Sequence, residues 1–169
     1  DYGVALMNDC KYGYFVKDNI LDLNLLRSPN NPDPDADQGK HQFSYSIFPH
    51  EHDLIRSNVI SEATCLNQMP IVFNGVRSDN GIPVKLDGNG LELTVLKKGE
   101  KEDYLILRIV ETFGRYSKGS LKLNGTLTEC DLMEWNDMGS QTNVEGSMPL
   151  SFLPFEIKTF KFVTKVTPS

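Results

Sequence analysis

Short runs in which apolar or β-branched residues alternate with polar ones recur along this chain, and clusters of Gly, Pro, Asn and Asp separate them. A period of two is the mark of a strand with one covered face, because successive side chains point to opposite sides. On that pattern strands are expected over 2–7, 12–16, 20–26, 42–48, 91–97, 104–111, 120–123, 127–133 and 155–163. The fold class is therefore mainly all-β, built of antiparallel sandwiches with at most one short helix. In 104–111 the apolar run is nearly continuous and Arg108 alone interrupts it, as in a central strand covered on both faces. In 155–163, Phe155 and Ile157 share a parity with Thr159, whereas Phe160 and Phe162 fall on the other, which predicts a bulge or twist near Thr159. Asn124 and Gly125 both tolerate positive φ and are expected to join 120–123 to 127–133 as a tight hairpin. The one helix is expected over 54–66, where Leu54, Ile55, Val59, Ala63 and Leu66 form an apolar stripe before Met69-Pro70 stops it.

Between Asn74 and Gly90 the chain is rich in Asn, Asp, Gly and Pro, the composition of a surface connection. The expected division is 1–82 and 83–169. At 169 residues the chain is long enough for one substantial core or two small ones, and with 39% hydrophobic and 24% charged residues it is an ordinary folded composition. The net charge of −6, with no basic run longer than Lys97-Lys98, leaves little for a nucleic-acid backbone or an anionic membrane to bind. No apolar run approaches the ~20 residues of a membrane-crossing helix. The chain starts Asp1-Tyr2-Gly3 without an initiator Met, which reads as a piece of a longer polypeptide. Cys10, Cys65 and Cys130 are an odd count without CxxC spacing, so a reducing cytoplasm is expected and a Cys-rich zinc site is not.

Segments that carry chemistry are few. The stretch from Arg27 to Gly39 holds Pro29, Pro32 and Pro34, which forbid helix and central strand and leave a long loop. Asp33, Asp35 and Asp37 are spaced as in a calcium loop, but Gln38 stands where Gly is needed and Ser44 where a bidentate Glu should close the site. Solvated turn carboxylates are the better reading. His50-Glu51-His52 lacks the spacing that puts two imidazoles on one helical face and is expected in a loop after Pro49. No phosphate loop, nucleophile elbow, selected carboxylate pair or Cys/His dyad is present, so no catalytic residue and no metal ligand is assigned. The segment from Asn8 to Tyr14 is a polar, turn-forming cluster between two apolar strands. It fits an ordinary turn with an Asx-type bond from Asn8 or Asp9, or one whose Lys11 and Tyr12 line a polar cleft. Trp135, the single Trp, is expected in core or hairpin packing, with a sugar-stacking platform as the alternative.

The blocks Tyr2-Gly-Val-Ala-Leu-Met-Asn-Asp-Cys-Lys-Tyr-Gly-Tyr14, Leu25-Leu-Arg-Ser-Pro29, Pro32-Asp-Pro-Asp-Ala-Asp37 with Gly39 and His41, and Tyr45-Ser-Ile-Phe-Pro-His50 resemble the C-terminal part of glycoside hydrolase family 38 α-mannosidases, most closely those of the cytosolic type. The segments 105–111, 130–134 and 155–160 are similar to that branch's final β-sandwich. The resemblance implies that 1–82 is the end of a large β super-sandwich and 83–169 a small immunoglobulin-like sandwich. It implies further that an upstream catalytic domain of the same polypeptide holds a divalent zinc, the Asp nucleophile and the carboxylic acid for retaining cleavage of a mannoside substrate. Motifs for those groups are missing here, so this chain alone is expected to be inactive and to bind no cofactor. The family carries an Arg on the segment matching 25–29, which implies that Arg27, with Asp9, Lys11 and Tyr12, edges the substrate cleft. Related branches have a basic pair there, whereas Leu26 precedes Arg27 in this chain. Arg27 paired with Asp33, Asp35 or Asp37 to order the loop is the competing reading. A stand-alone carbohydrate-binding module and a pure assembly domain, with a homo-oligomer, are the other functions compatible with these residues.

Overall fold

A computed structural model describes residues 2–69, 71–72, 74–75, 84–100 and 103–165. Among the described residues the chain is mostly strand, with one short helix, and it divides into two compact units, Asp1–Asn74 and Gly75–Ser169. The boundary expected at 82/83, the turn cluster at 79–81 and Pro70 lie outside the described residues.

The first unit holds four strands, β1 (Tyr2–Asn8), β2 (Gly13–Lys17), β3 (Ile20–Asn24) and β4 (Tyr45–Glu51), and the helix α1 (Val59–Asn67). They form two antiparallel pairs, β1 with β4 and β2 with β3. β3 stops at Asn24, before the proline-rich loop, rather than at residue 26. β4 runs through Pro49 and His50, so His50 lies in a strand opposite Gly3 and not in a loop. A proline is tolerated there because a two-stranded sheet has only edges. α1 starts at Val59 and not at residue 54, because Asp53 takes the preceding residues into a turn of its own. Its carboxylate accepts the Arg56 N–H at 3.0 Å, and its carbonyl accepts Ser57 N–H at 2.9 Å.

The second unit is a single antiparallel sheet of β5 (Lys85–Asp87), β6 (Leu91–Lys98), β7 (Leu105–Glu111), β8 (Ser117–Cys130), β9 (Thr142–Phe152) and β10 (Ile157–Thr164). The order is β5-β8-β10-β7-β6, with β9 on the other edge of β8. β5 and β6, at opposite ends of that order, also approach one another, so the sheet curls into a sandwich-like layer around a core. Leu107, Ile109, Leu121, Leu123, Phe152 and Phe162 lie in that core. The consecutive Ile106 and Leu107 are both fully buried, so β7 is covered on both faces.

The Asn124-Gly125 hairpin does not form. β8 passes straight through both residues and pairs with β9 over 117–127, Asn124 opposite Glu145. The Asn124 side-chain oxygen accepts Gly146 N–H at 2.8 Å, and Gly125 is needed for close approach, since a Cβ there would collide with the Val163 carbonyl. The long hairpin is closed by β9, a strand the alternation did not reveal. The bulge near Thr159 is also absent. β10 begins at Ile157 and keeps one register with β7, whereas Phe155 sits before it in a turn with φ of 57°. The register shift of this sheet lies in β6, between Leu93 and Val95.

Candidate functional site

The β1–β2 turn is built by Asn8. Its side-chain oxygen accepts the Cys10 N–H at 3.0 Å and the Lys11 N–H, and its amide donates to the Tyr14 hydroxyl. The Asx-type turn read from sequence is therefore present, and it sets the direction of the next two side chains. Lys11 turns toward Phe43, its Nζ 4.7 Å from the ring centroid, a cation–π contact that holds the ammonium over the loop. Tyr12 is 91% exposed.

Arg27 leaves the end of β3, and the proline-rich loop then folds back on itself. Asp33 accepts Asp35 N–H at 3.0 Å, Asp35 accepts the Gln38 amide at 3.0 Å, and Asp37 accepts Ser28 N–H at 3.0 Å. His41 Nε2 lies 2.8 Å from the Asp37 carbonyl. The three carboxylates are thus spent on ordering the loop, and among the described residues none of them pairs with Arg27, nor do three or more His, Cys, Asp or Glu gather as a metal-holding group. The competing role for Arg27, an ion pair with this loop, is not made.

Lys11, Tyr12 and Arg27 come together with Cys10, Asp37 and His41 around one open hollow of about 310 Å³. It presents two cations, an imidazole, a phenol and a carboxylate to solvent. Those groups can donate to and accept from hydroxyls or an anionic group, but they contain no base and nucleophile held against one another. Asp9 does not line the hollow. Its carboxylate accepts Ser44 N–H at 2.9 Å while its own N–H donates to the Ser44 carbonyl, which clamps the turn to the strand entering β4. Hydrogen bonds from the Cys10 thiol and from Ser44 hold the Asp9 carboxyl below its ordinary range, and the Asp9 contact in turn raises the Cys10 thiol. Asp9 braces the turn that carries Lys11 and Tyr12. His41 and Asp37 were within reach of sequence reasoning as polar residues of a proline-rich loop, but only the fold back across Ser28 brings them to Lys11.

Trp135 is not in the core. It is 65% exposed, on the loop between β8 and β9. His50 stacks on Phe48 at 6.4 Å and joins no metal-holding group among the described residues.

Residues 1–35 match the description Glycosyl hydrolases family 38 C-terminal domain, and residues 90–160 match Glycosyl hydrolases family 38 C-terminal beta sandwich domain. The chain is similar to Alpha-mannosidase G of Dictyostelium discoideum, 32% identical over 97% of this chain. It is also similar to Alpha-mannosidase 2C1 of Homo sapiens, 32% identical over 99%, and to Alpha-mannosidase of Saccharomyces cerevisiae, 29% identical over 94%. It spans only 16% of the length of the first of these and 17% of the other two. Between them the two family matches take in β1 to β3 of the first unit and β6 to β9 with the start of β10 of the second, and the relatives align over nearly all of the rest. The chain belongs to glycosyl hydrolase family 38, as part of the C-terminal β region of its α-mannosidases.

Proposed function

We propose that this chain is the non-catalytic rear scaffold of an enzyme that hydrolyses terminal α-D-mannosides with retention, and that Lys11, Tyr12 and Arg27 form part of the rim of its substrate cleft. The observation that supports the bracing role is the state of the first unit. It consists of two-stranded sheets, which are marginal in water by themselves, and Val4, Phe15, Val16, Ile20 and Ile47 on those strands are all more than half exposed. Strand edges and apolar faces of that kind are completed by more polypeptide, and burying them stabilises both partners by roughly 25 cal/mol per Å². With no metal-holding group among the described residues, the zinc, the nucleophile and the acid belong in this reading to the catalytic part of the same polypeptide. The free thiols Cys10, Cys65 and Cys130 support a cytoplasmic location.

The test uses the full-length polypeptide and a chromogenic α-mannoside. Arg27→Ala is expected to lower kcat/KM about tenfold or more, the cost of a lost charge-assisted hydrogen bond. Arg27→Lys should recover only part of it, since an ammonium lacks the bidentate fork. Unchanged kcat/KM in Arg27→Ala ends the rim role. Chelation of the metal is expected to abolish turnover of the intact enzyme while its β-sheet circular dichroism persists.

A further inference from the structure

The loop joining β8 to β9 is fastened to its own sheet by several of its polar residues. Asp131 accepts the N–H groups of Trp135 at 2.9 Å and Asn136 at 3.2 Å, and the Asn136 amide at 2.7 Å. Arg108 reaches across β10, donating to the Thr159 hydroxyl at 3.1 Å, and then binds the Leu132 carbonyl and the Glu134 carboxylate, each at 3.0 Å. Lys97 adds a second cation to Glu134 at 3.0 Å, and Lys161 holds Asp137 at 2.7 Å. Met138 N–H donates to the Glu129 carbonyl at 2.8 Å. Among the side chains this loop leaves exposed are four large apolar ones: Leu132, Met133, Trp135 and Met138 are 55%, 62%, 65% and 68% exposed.

Four large apolar side chains on a pinned loop cannot fold away from water, so their exposure is a property of the fold and marks a contact surface. A sugar would need hydroxyl-reading groups around the indole, and the carboxylates of this loop are already engaged by Arg108, Lys97, Lys161 and the loop amides. The chemistry fits a dry pocket on protein. The chain makes up 16–17% of its relatives' length, which leaves a tethered partner of ample size.

From these contacts we infer that 131–139 is a docking knob seated in an apolar pocket of the catalytic part of the same polypeptide. The inference rests on the proposed scaffold reading. It is tested on the full-length protein by peroxide oxidation of Met133 and Met138, followed by peptide mass spectrometry. Both are expected to oxidise at least tenfold more slowly than in the guanidinium-unfolded protein, and equally so after hundredfold dilution and with excess methyl α-mannoside. Oxidation at the unfolded rate, protection lost on dilution, or protection only with the mannoside overturns it in favour of an open surface, a second copy or a sugar platform respectively. Photo-methionine at 133 or 138 should cross-link to peptides outside residues 1–169, and links confined to 1–169 overturn it. The double variant Met133→Ser, Trp135→Ser should expose Met138 to oxidation, and undiminished protection counts against the knob. Hydrolysis of a chromogenic α-mannoside by the same sample separates the two readings. A protected knob without turnover removes the enzyme, and turnover with an open knob removes the docking.

Discussion

Glu111 ends β7 with a carboxylate that is fully buried and yet accepts backbone N–H groups from Phe113, Gly114, Arg115 and Phe155 and the Ser117 hydroxyl, all within 3.2 Å. Burial alone would raise its pKa, but these donors outweigh burial and hold it below the ordinary value. Because the folded pKa lies below the unfolded one, the stabilisation is complete above the unfolded carboxyl value near pH ~4.3 and is lost as pH falls through the folded value. Glu111→Gln turns an amide donor toward these N–H groups and is expected to cost about 2 kcal/mol or more. It should also flatten the acid limb of a stability-versus-pH curve measured by chemical denaturation. An acid limb identical to that of the parent would mean the carboxylate is not the group being titrated. Arg108 could be read from sequence as an interruption of an apolar strand, and its partners on the 131–139 loop explain why it is tolerated. Glu111 could not, because four of its five donors are main-chain amides, one of them 44 residues away.

At the scale of elements, alternation located most strands but failed where pairing partners decide. Asn124-Gly125 carries strong hairpin chemistry, and a continuous ladder with β9 overrides it. β9 itself mixes Asn, Gly, Ser and Pro149, and it is strand only because β8 offers it an edge, where a proline is allowed. The helix was visible as an apolar stripe, but its start was hidden by the Asp53 turn. A Cβ at residue 125 has the Val163 carbonyl in its way, so Gly125→Val should push β10 from β8 and lower the thermal midpoint by roughly 5–10 °C. Asn124→Ala, which loses one exposed hydrogen bond to Gly146, should shift it by only a few degrees. If the two variants melt together, close packing at this crossing is not what fixes the residue.

For the molecule as a whole, the hollow of Lys11, Tyr12 and Arg27 was legible in part. The turn chemistry pointed to the first two and the resemblance to the third, but their shared surface depends on a loop of a dozen residues whose path no periodicity encodes. The exposed strands of the first unit predict that 1–169 expressed alone binds a hydrophobic dye strongly. Phe15→Lys with Ile47→Lys should reduce that binding several-fold, and should lower the stability of the full-length protein if those faces are covered there. A finding of weak dye binding by the parent chain would show that the unit completes itself. The position of β10 has a temporal consequence. Though it follows every other strand in sequence, it sits between β8 and β7, so the nascent second unit must wait with its two halves unjoined until Ile157–Thr164 has been synthesised, and any product that terminates before Ile157 leaves both halves as open edges for chaperones to guard.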